Sequence, residues 1–199
     1  IFQSASNMAC LLSVQIGRSQ RVQINGRKVL TGGYKHAVSG QVPVQALGLL
    51  GDEQADMSVH GGLDKAVYAY PSEHYPMWQQ AREDAGVSGI DPHLPWGSMG
   101  ENLTLMGVLE SDLWVGDVLR FPNCALRVTQ PREPCYKFNA TMGFFGAARL
   151  MASSGHCGIY LAVEEPGHLR AGVAFELVAG PRCMRIDTRF KARSPQLLK

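Results

Sequence analysis

Short apolar or alternating runs, separated by glycine and proline, follow one another along most of the chain and predict strands. Residues 21–31 read RVQINGRKVLT, and Asn25-Gly26 between the two β-type runs is a strong hairpin signal because both residues tolerate positive φ. Further strands are predicted at residues 41–50, 66–70, 113–121, 125–129, 159–164 and 174–178.

Only two segments show helical patterns. Ser72 is a good N-cap, and a partial apolar stripe that includes Tyr75 and Trp78 follows it as far as Gly86. A second helix is predicted over residues 143–153. Many short strands, glycine-rich turns and two modest helices predict a mainly β fold with a few helices, of the barrel kind.

The length of 199 residues fits one domain, with the β-rich part at residues 1–181 and a basic tail at residues 182–199. The tail has six Lys or Arg residues and one acid, Asp187. It is predicted to be a solvated, partly disordered end, and the steering of an acidic redox partner is the alternative role.

Charge and hydropathy exclude two classes of partner. The net charge is only +2, whereas a dedicated nucleic-acid binder usually has a strong basic field. No apolar run approaches the roughly 20 residues that span a bilayer. We therefore expect neither nucleic acid nor a membrane among the partners.

The cysteines and the start of the chain indicate the compartment. There are five cysteines, an odd number with no C-x-x-C pair, so a disulfide framework and a structural zinc site are poorly supported. The first residues lack the basic flank and the cleavage site of a signal peptide. Together these features favour the reducing cytoplasm.

Three polar segments punctuated by glycine or proline are the candidates for chemistry: GDEQADMSVHGGLDK at residues 51–65, GENLT at 100–104 and QPREPCYKFN at 130–139. In the last one Cys135 stands near Arg132, and such cations stabilise a thiolate, which is a soft ligand for a transition metal. A small buried apolar residue is the alternative role for this cysteine.

His60-Gly61-Gly62 in the first segment is a candidate anion site. Consecutive glycine amides can surround an anion, His60 can donate a hydrogen bond, and Lys65 adds positive charge, so a phosphate is a suitable ligand. A plain glycine turn with a surface histidine is the alternative.

The remaining polar residues of these segments carry weaker signals. Asn102 and Thr104 supply neutral donors of the kind that orient polar ligands, or they cap a turn. Asp52, Glu53 and Asp56 lack the spacing of a calcium loop and are predicted to form a solvated acidic turn.

The three segments in this order, with VGD at residues 115–117 before the last, resemble the MOSC domain family, which takes its name from the C-terminal domain of molybdenum-cofactor sulfurases. The YiiM-type bacterial branch is the most similar, over about residues 40–178. The resemblance implies a β-barrel of the pyruvate-kinase type and a molybdenum cofactor. The cysteine of the family matches Cys135, which would be the protein ligand to molybdenum and the catalytic residue.

The resemblance also implies the residues that hold the cofactor. The pterin and its phosphate would lie against the basic and polar positions of the three segments, namely His60, Gly61, Gly62, Lys65, Asn102, Thr104, Arg132 and Lys137.

Relatives with this organisation resemble reductases of N-hydroxylated compounds, such as N-hydroxylated purine bases. The chain has no flavin, nicotinamide or iron–sulfur motif, so electrons are expected from a separate donor protein. The alternative is a module that carries the cofactor or sulfur without turnover. YiiM-type proteins usually continue into a small helical extension, for which residues 182–199 are too short.

Overall fold

The computed structural model describes residues 9–55, 61–87 and 93–197. In these ranges the chain forms thirteen short strands, and four α-helices lie between or after them. The strands are β1 (Cys10–Ile16), β2 (Gln20–Ile24), β3 (Arg27–Thr31), β4 (His36–Ala37), β5 (Val42–Gln45), β6 (Gly48–Leu49), β7 (Val67–Pro71), β8 (Leu103–Met106), β9 (Val118–Phe121), β10 (Cys124–Pro131), β11 (Ile159–Glu165), β12 (Gly167–Leu169) and β13 (Glu176–Val178). The helices are α1 (Tyr75–Asp84), α2 (Tyr136–Met142), α3 (Ala147–Ser154) and α4 (Ile186–Leu197).

Eight strands form one curled sheet in the order β13-β9-β10-β11-β7-β8-β1-β4, in which only β7 and β8 are parallel neighbours. The residues just before β13 connect the two sides of this half-barrel, the side of β1 and the side of β9. The amide of Leu11 in β1 donates to the carbonyl of Val173 over 2.9 Å, and β13, which follows at once, pairs with β9. The predicted mainly β, barrel-type fold is confirmed.

Strand β7 separates the two apolar clusters of the molecule. Because side chains alternate along a strand, Val67 and Ala69 belong to the cluster inside the curl, whereas Tyr68 and Tyr70 belong to the cluster under the helices. All four residues are buried. This strand is therefore a rigid inner wall, and the site described below is built against it.

The hairpin prediction is confirmed, and one strand prediction is corrected. β2 and β3 pair with Ile24 opposite Arg27, and Asn25 and Gly26 between them have φ of 50° and 77°. Residues 41–50, predicted as one strand, form the two-stranded turn of β5 and β6 instead, with Gln45 opposite Gly48. The remaining predicted strands correspond to β7, β9, β10, β11 and β13.

The two helix predictions are confirmed in part, because both helices exist but begin at other residues. A 3₁₀ turn at Ser72–His74 precedes α1, so the α-helix begins at Tyr75 rather than at the predicted cap. The second predicted helix begins at Ala147, because Gly143 instead ends α2 in a left-handed conformation with φ of 79°. Helix α2 itself was missed.

The prediction of a solvated, partly disordered tail is wrong for Ile186–Leu197, which form α4. Ile186 and Phe190 lie one helical turn apart and both are buried, Ile186 in the cluster inside the curl and Phe190 in the cluster under the helices. The amide of Ile186 also donates to the carbonyl of Leu113 over 2.9 Å. Among the described residues, no helix is long and apolar enough to cross a membrane.

Candidate functional site

A cavity opens where all three motif segments meet the chain that follows β3. Residues 31–33 and 52–55 supply part of its lining, and residues at the end of β10 and the start of α2 supply another part. Its other lining residues include Lys35, Lys65, Tyr68, Gly100, Asn102, Arg132, Cys135, Lys137, Phe138, Thr141 and Tyr160.

Cys135 enters this cavity from the junction between a strand and a helix. β10 ends at the buried Pro131, which is opposite Ile159 of β11. Cys135 then has an extended backbone as the residue before α2, and its carbonyl accepts the amide of Phe138 over 2.9 Å. A half-buried thiol is thus presented to the cavity from a backbone that is fixed on both sides.

The other four cysteines are not cavity residues. Burial raises the pKa of Cys124 to about 11, and burial raises the pKa of Cys157 well above its ordinary value. Both of these thiols therefore stay protonated and serve as small apolar residues. Cys183 is exposed and Cys10 is half-buried, but neither lines the cavity.

Arg132 is a fixed cation near the thiol. Its guanidinium lies over the rings of Tyr68 and Phe138, at 4.9 and 5.1 Å from their centroids, and donates to the carbonyl of Met99 over 3.1 Å. Burial alone would lower the pKa of Arg132, but interactions with two tyrosines and Cys135 outweigh it and raise the pKa. The guanidinium therefore remains charged and can stabilise an anion in the cavity.

Lys35 is a cavity residue that the sequence analysis missed. Its Nζ lies 2.5 Å from Oδ1 of Asp52, and that oxygen also accepts the amide of Gly17 over 2.9 Å. Burial lowers the pKa of Lys35, while the pairing with Asp52 opposes that shift. The available signal was Gly32-Gly33 ahead of a lysine, which repeats the pattern at Gly61-Gly62 and Lys65. The prediction of a solvated acidic turn is wrong for Asp52, because its charge is paired and buried.

The GENLT segment supports the cavity wall through Glu101, whose role the sequence did not reveal. This carboxylate is fully buried and accepts hydrogen bonds from the Tyr75 hydroxyl, the amides of Gly97 and Met99 and the Thr104 hydroxyl. Burial raises the pKa of Glu101, although these donors oppose the shift.

Of the two predicted donors in that segment, only Asn102 reaches the cavity. Its Oδ1 accepts the amide of Tyr68 over 3.1 Å, and its Nδ2 donates to the carbonyl of Gln15 over 3.2 Å. Thr104 lies on β8 behind the wall, where it bonds Glu101 and Gln15. Both residues therefore join the strands that carry the cavity.

The two predicted lysines also line the cavity. Nζ of Lys137 donates to the carbonyl of Leu30 over 2.9 Å, and Nζ of Lys65 lies 5.7 Å from the centre of the Tyr160 ring. Lys65 belongs to the first motif segment and Lys137 to the third. The fold thus brings positive charge to the cavity from both.

The predicted glycine turn lies beside the cavity. The amide of Gly62 donates to the side chain of Gln54, a lining residue, over 2.9 Å, and Gly61 does not line the cavity. His60 lies outside the described residues. Within the described ranges, no group of three or more His, Cys, Asp or Glu side chains is placed to hold a metal ion.

A curled, mainly β domain with one thiol and several cations around a cavity defines the class, and the MOSC domain family model matches residues 56–176. The chain belongs to the MOSC domain family. It is 38% identical over 145 residues to "Protein YiiM" of Escherichia coli (strain K12), and the match covers 73% of this chain and 62% of that protein.

One further sequence match and one solved structure are also similar to this chain. A protein of Gibberella moniliformis named "Reductase" is 31% identical over 173 residues, which cover 86% of this chain and 29% of that protein. The crystal structure of YiiM from Geobacillus stearothermophilus has a TM-score of 0.74 and 27% identity, and the match covers 94% of this chain and 85% of that one. The chain thus spans less than two thirds of the Escherichia coli relative and under a third of the fungal one.

Proposed function

We propose that this protein holds a molybdenum cofactor in the cavity, with the Cys135 thiolate as the protein ligand to the metal, and reduces N-hydroxylated compounds. The observation that carries the proposal is the position of Cys135, a half-buried thiol among the cations of the cavity. Family membership supports a role related to the molybdenum cofactor, and the similarity to a protein named "Reductase" supports an enzyme.

The residues of the cavity fit such a group chemically. A thiolate is a soft donor suited to a transition metal, and Lys65, Arg132 and Lys137 suit an anionic phosphate. Gly33 and Gly100 allow two lining segments to approach closely, since a Cβ on Gly100 would stand 3.4 Å from the backbone of Gly33. We assign His60 and Asn102 to the same cofactor, Gly61 and Gly62 to the turn that borders it, and Thr104 to the wall behind it.

The overall reaction consumes two electrons and two protons. The N–O bond breaks, R–NH–OH becomes R–NH₂, and the hydroxyl oxygen leaves as water. When bound, the cofactor supplies a metal that exchanges electron pairs and accepts an oxygen atom, and the protein supplies binding and electrostatics. Electrons come from a separate donor protein.

The side chains of the cavity prepare it for this reaction. Arg132 keeps its charge and offsets negative charge on the thiolate and on a bound anion. Burial raises the pKa of Tyr68 and of Tyr160, so both hydroxyls stay protonated and present neutral, partly aromatic walls to a planar substrate. The paired charges of Lys35 and Asp52 hold the chain after β3 against the chain after β6.

The Cys135→Ser variant tests the assignment, with Cys183→Ser as the matched control at a cysteine outside the cavity. Both proteins are produced in a host that makes the cofactor. We expect Cys135→Ser to lose reduction of an N-hydroxylated purine by at least about 10³-fold and to retain less molybdenum, because an alcohol is a poor replacement for a thiolate ligand. The control should keep both properties.

Folding is followed by thermal unfolding of the two variants, which should differ little from the unaltered protein because Cys135 is only half-buried. Full molybdenum content and full activity in Cys135→Ser would overturn the ligand assignment. Cofactor-loaded protein that reduces no N-hydroxylated compound with an artificial donor would favour the alternative, a carrier without turnover.

A further inference from the structure

The positive charge of the N-terminal quarter of the chain is concentrated in one hairpin. Residues 1–51 contain no Asp or Glu, and they contain five Lys or Arg residues. Arg21 lies in β2, Arg27 and Lys28 lie in β3, and Arg18 lies just before β2. All charged side chains of the β2–β3 hairpin are therefore positive.

These cations are exposed and are not neutralised by neighbours. Within the described residues, no carboxylate lies within 4.0 Å of the charged nitrogens of Arg21, Arg27 or Lys28, and all three side chains are exposed. The register places Arg21 opposite Leu30 and Gln23 opposite Lys28, so these four share one exposed face. Val22 and Val29 on the other face are half-buried.

The hairpin rises from the rim of the cavity. Thr31 at the end of β3 is a lining residue, and the carboxylate of Glu53, another lining residue, accepts the amide and hydroxyl of Ser19 over 3.0 and 2.9 Å. At about 3.4 Å per residue along a strand, Lys28 lies roughly 10 Å from Thr31. That distance is about one Debye length at an ionic strength of about 0.1 M, so the hairpin charges act on a molecule that approaches the cavity, and they act most strongly at low salt.

The described part of the basic tail, residues 182–197, does not provide such a field. Arg182 is paired with Asp117, Arg193 lies 2.6 Å from Glu133, and Arg189 donates to the carbonyl of Thr129 over 3.2 Å. Arg185 and Lys191 both pair with Asp187. Steering by the described part of the tail, the alternative from the sequence, therefore loses its support. Arg21, Arg27 and Lys28 of the hairpin, by contrast, have no carboxylate within 4.0 Å among the described residues.

We infer that the β2–β3 hairpin is the docking surface for the acidic face of the electron-donor protein; this inference rests on the proposed function. Opposite charges raise the rate of encounter by about 10- to 10³-fold at low salt. Leu30, which is 41% exposed beside Arg21, adds the apolar contact that is typical of the centre of a protein interface. A nucleic-acid backbone is a chain of charged phosphates and would not make this apolar contact with Leu30.

The test compares two charge reversals of equal size in the cofactor-loaded protein. Lys28→Glu reverses a charge on the hairpin. Arg170→Glu is the control and reverses an exposed charge next to β12. This control lies near the start of β1, where the amide of Gly172 donates to the carbonyl of Leu11, whereas the hairpin follows the end of β1. The protein donor is reduced flavodoxin, an acidic carrier, and the small donor is the methyl viologen radical. We expect Lys28→Glu to lower the flavodoxin-driven kcat/KM about fivefold at an ionic strength of about 10 mM, and the loss to vanish at high salt.

The expected pattern also has turnover with methyl viologen unchanged and Arg170→Glu close to the unaltered protein. Equal losses in both variants, equal losses with both donors, or no binding of flavodoxin by the unaltered protein would each overturn the docking assignment. Tighter binding of a single-stranded DNA oligonucleotide than of flavodoxin would also overturn it. Lack of turnover with methyl viologen in the unaltered protein contradicts the proposed function instead, and flavodoxin titration of the same variants then tests the docking surface separately.

Discussion

The β2–β3 hairpin and helix α4 are both basic segments, but they use their charges differently. In α4 and the residues just before it, five cations bind carboxylates or a carbonyl of the same chain, and Phe190 is buried beneath them. In the hairpin, Arg21, Arg27 and Lys28 face solvent and have no such partners among the residues that the structure describes. One segment holds the fold together at the cysteine side of the cavity, whereas the other leaves its charge available.

The difference shows that the number of cations in a segment does not predict its role. What decides is whether the fold places acceptors within reach. Glu133 and Thr129, which receive Arg193 and Arg189, stand on either side of the end of β10, so α4 also fixes the approach to Cys135. The hairpin pairs mainly with itself and meets the cavity only at its base.

The largest expected effect on stability comes from removing the buried aromatic side chain on α4. Phe190→Ala should lower the free energy of unfolding by about 3–5 kcal/mol, because it leaves a cavity in a fully buried position. Val29→Ala in the hairpin should cost less than about 1 kcal/mol, because Val29 is only half-buried. Urea unfolding measures both. Equal losses would show that the two segments contribute alike to the fold.

A smaller effect is expected from removing one cation on each side. Arg189→Met removes a charged donor from the carbonyl of Thr129 and should lower the free energy of unfolding by about 1–2 kcal/mol. Arg27→Met is the matched change in the hairpin. It should stay within about 0.5 kcal/mol of the unaltered protein, because the Arg27 side chain is exposed and has no such partner in the described part of the chain. Chemical unfolding of the two variants compares them, and a larger loss in Arg27→Met would contradict the assignment.

The sequence predicted those parts of the fold whose signals are local. Asn25-Gly26 fixes a hairpin by its own backbone preference, and β7 is an apolar run whose burial needs no distant partner to be inferred. Helices α2 and α4 were missed because they are short or polar and depend on tertiary contacts. Phe138 and Phe190 bury them in the same cluster, although they stand far apart in the chain.

The candidate site was predictable to a similar extent. Cys135, Arg132 and Lys137 were found together because they lie in one segment, and Lys65 came from the pattern of glycines before it. Lys35 was missed because its partner Asp52 and its position in the cavity depend on pairings between strands. For the same reason, nothing local distinguished Thr104, which is behind the wall, from Asn102, which is part of it.

The binding of a molybdenum cofactor in the cavity is tested most directly by the molybdenum and pterin content of the unaltered protein. The protein is purified from a host that makes the cofactor, with a known molybdoenzyme as a positive control. We expect about one molybdenum and one pterin per chain, because the cavity offers a single thiol ligand and one set of cations. Protein that contains neither, beside a fully loaded control, would contradict the assignment of this cavity to the cofactor.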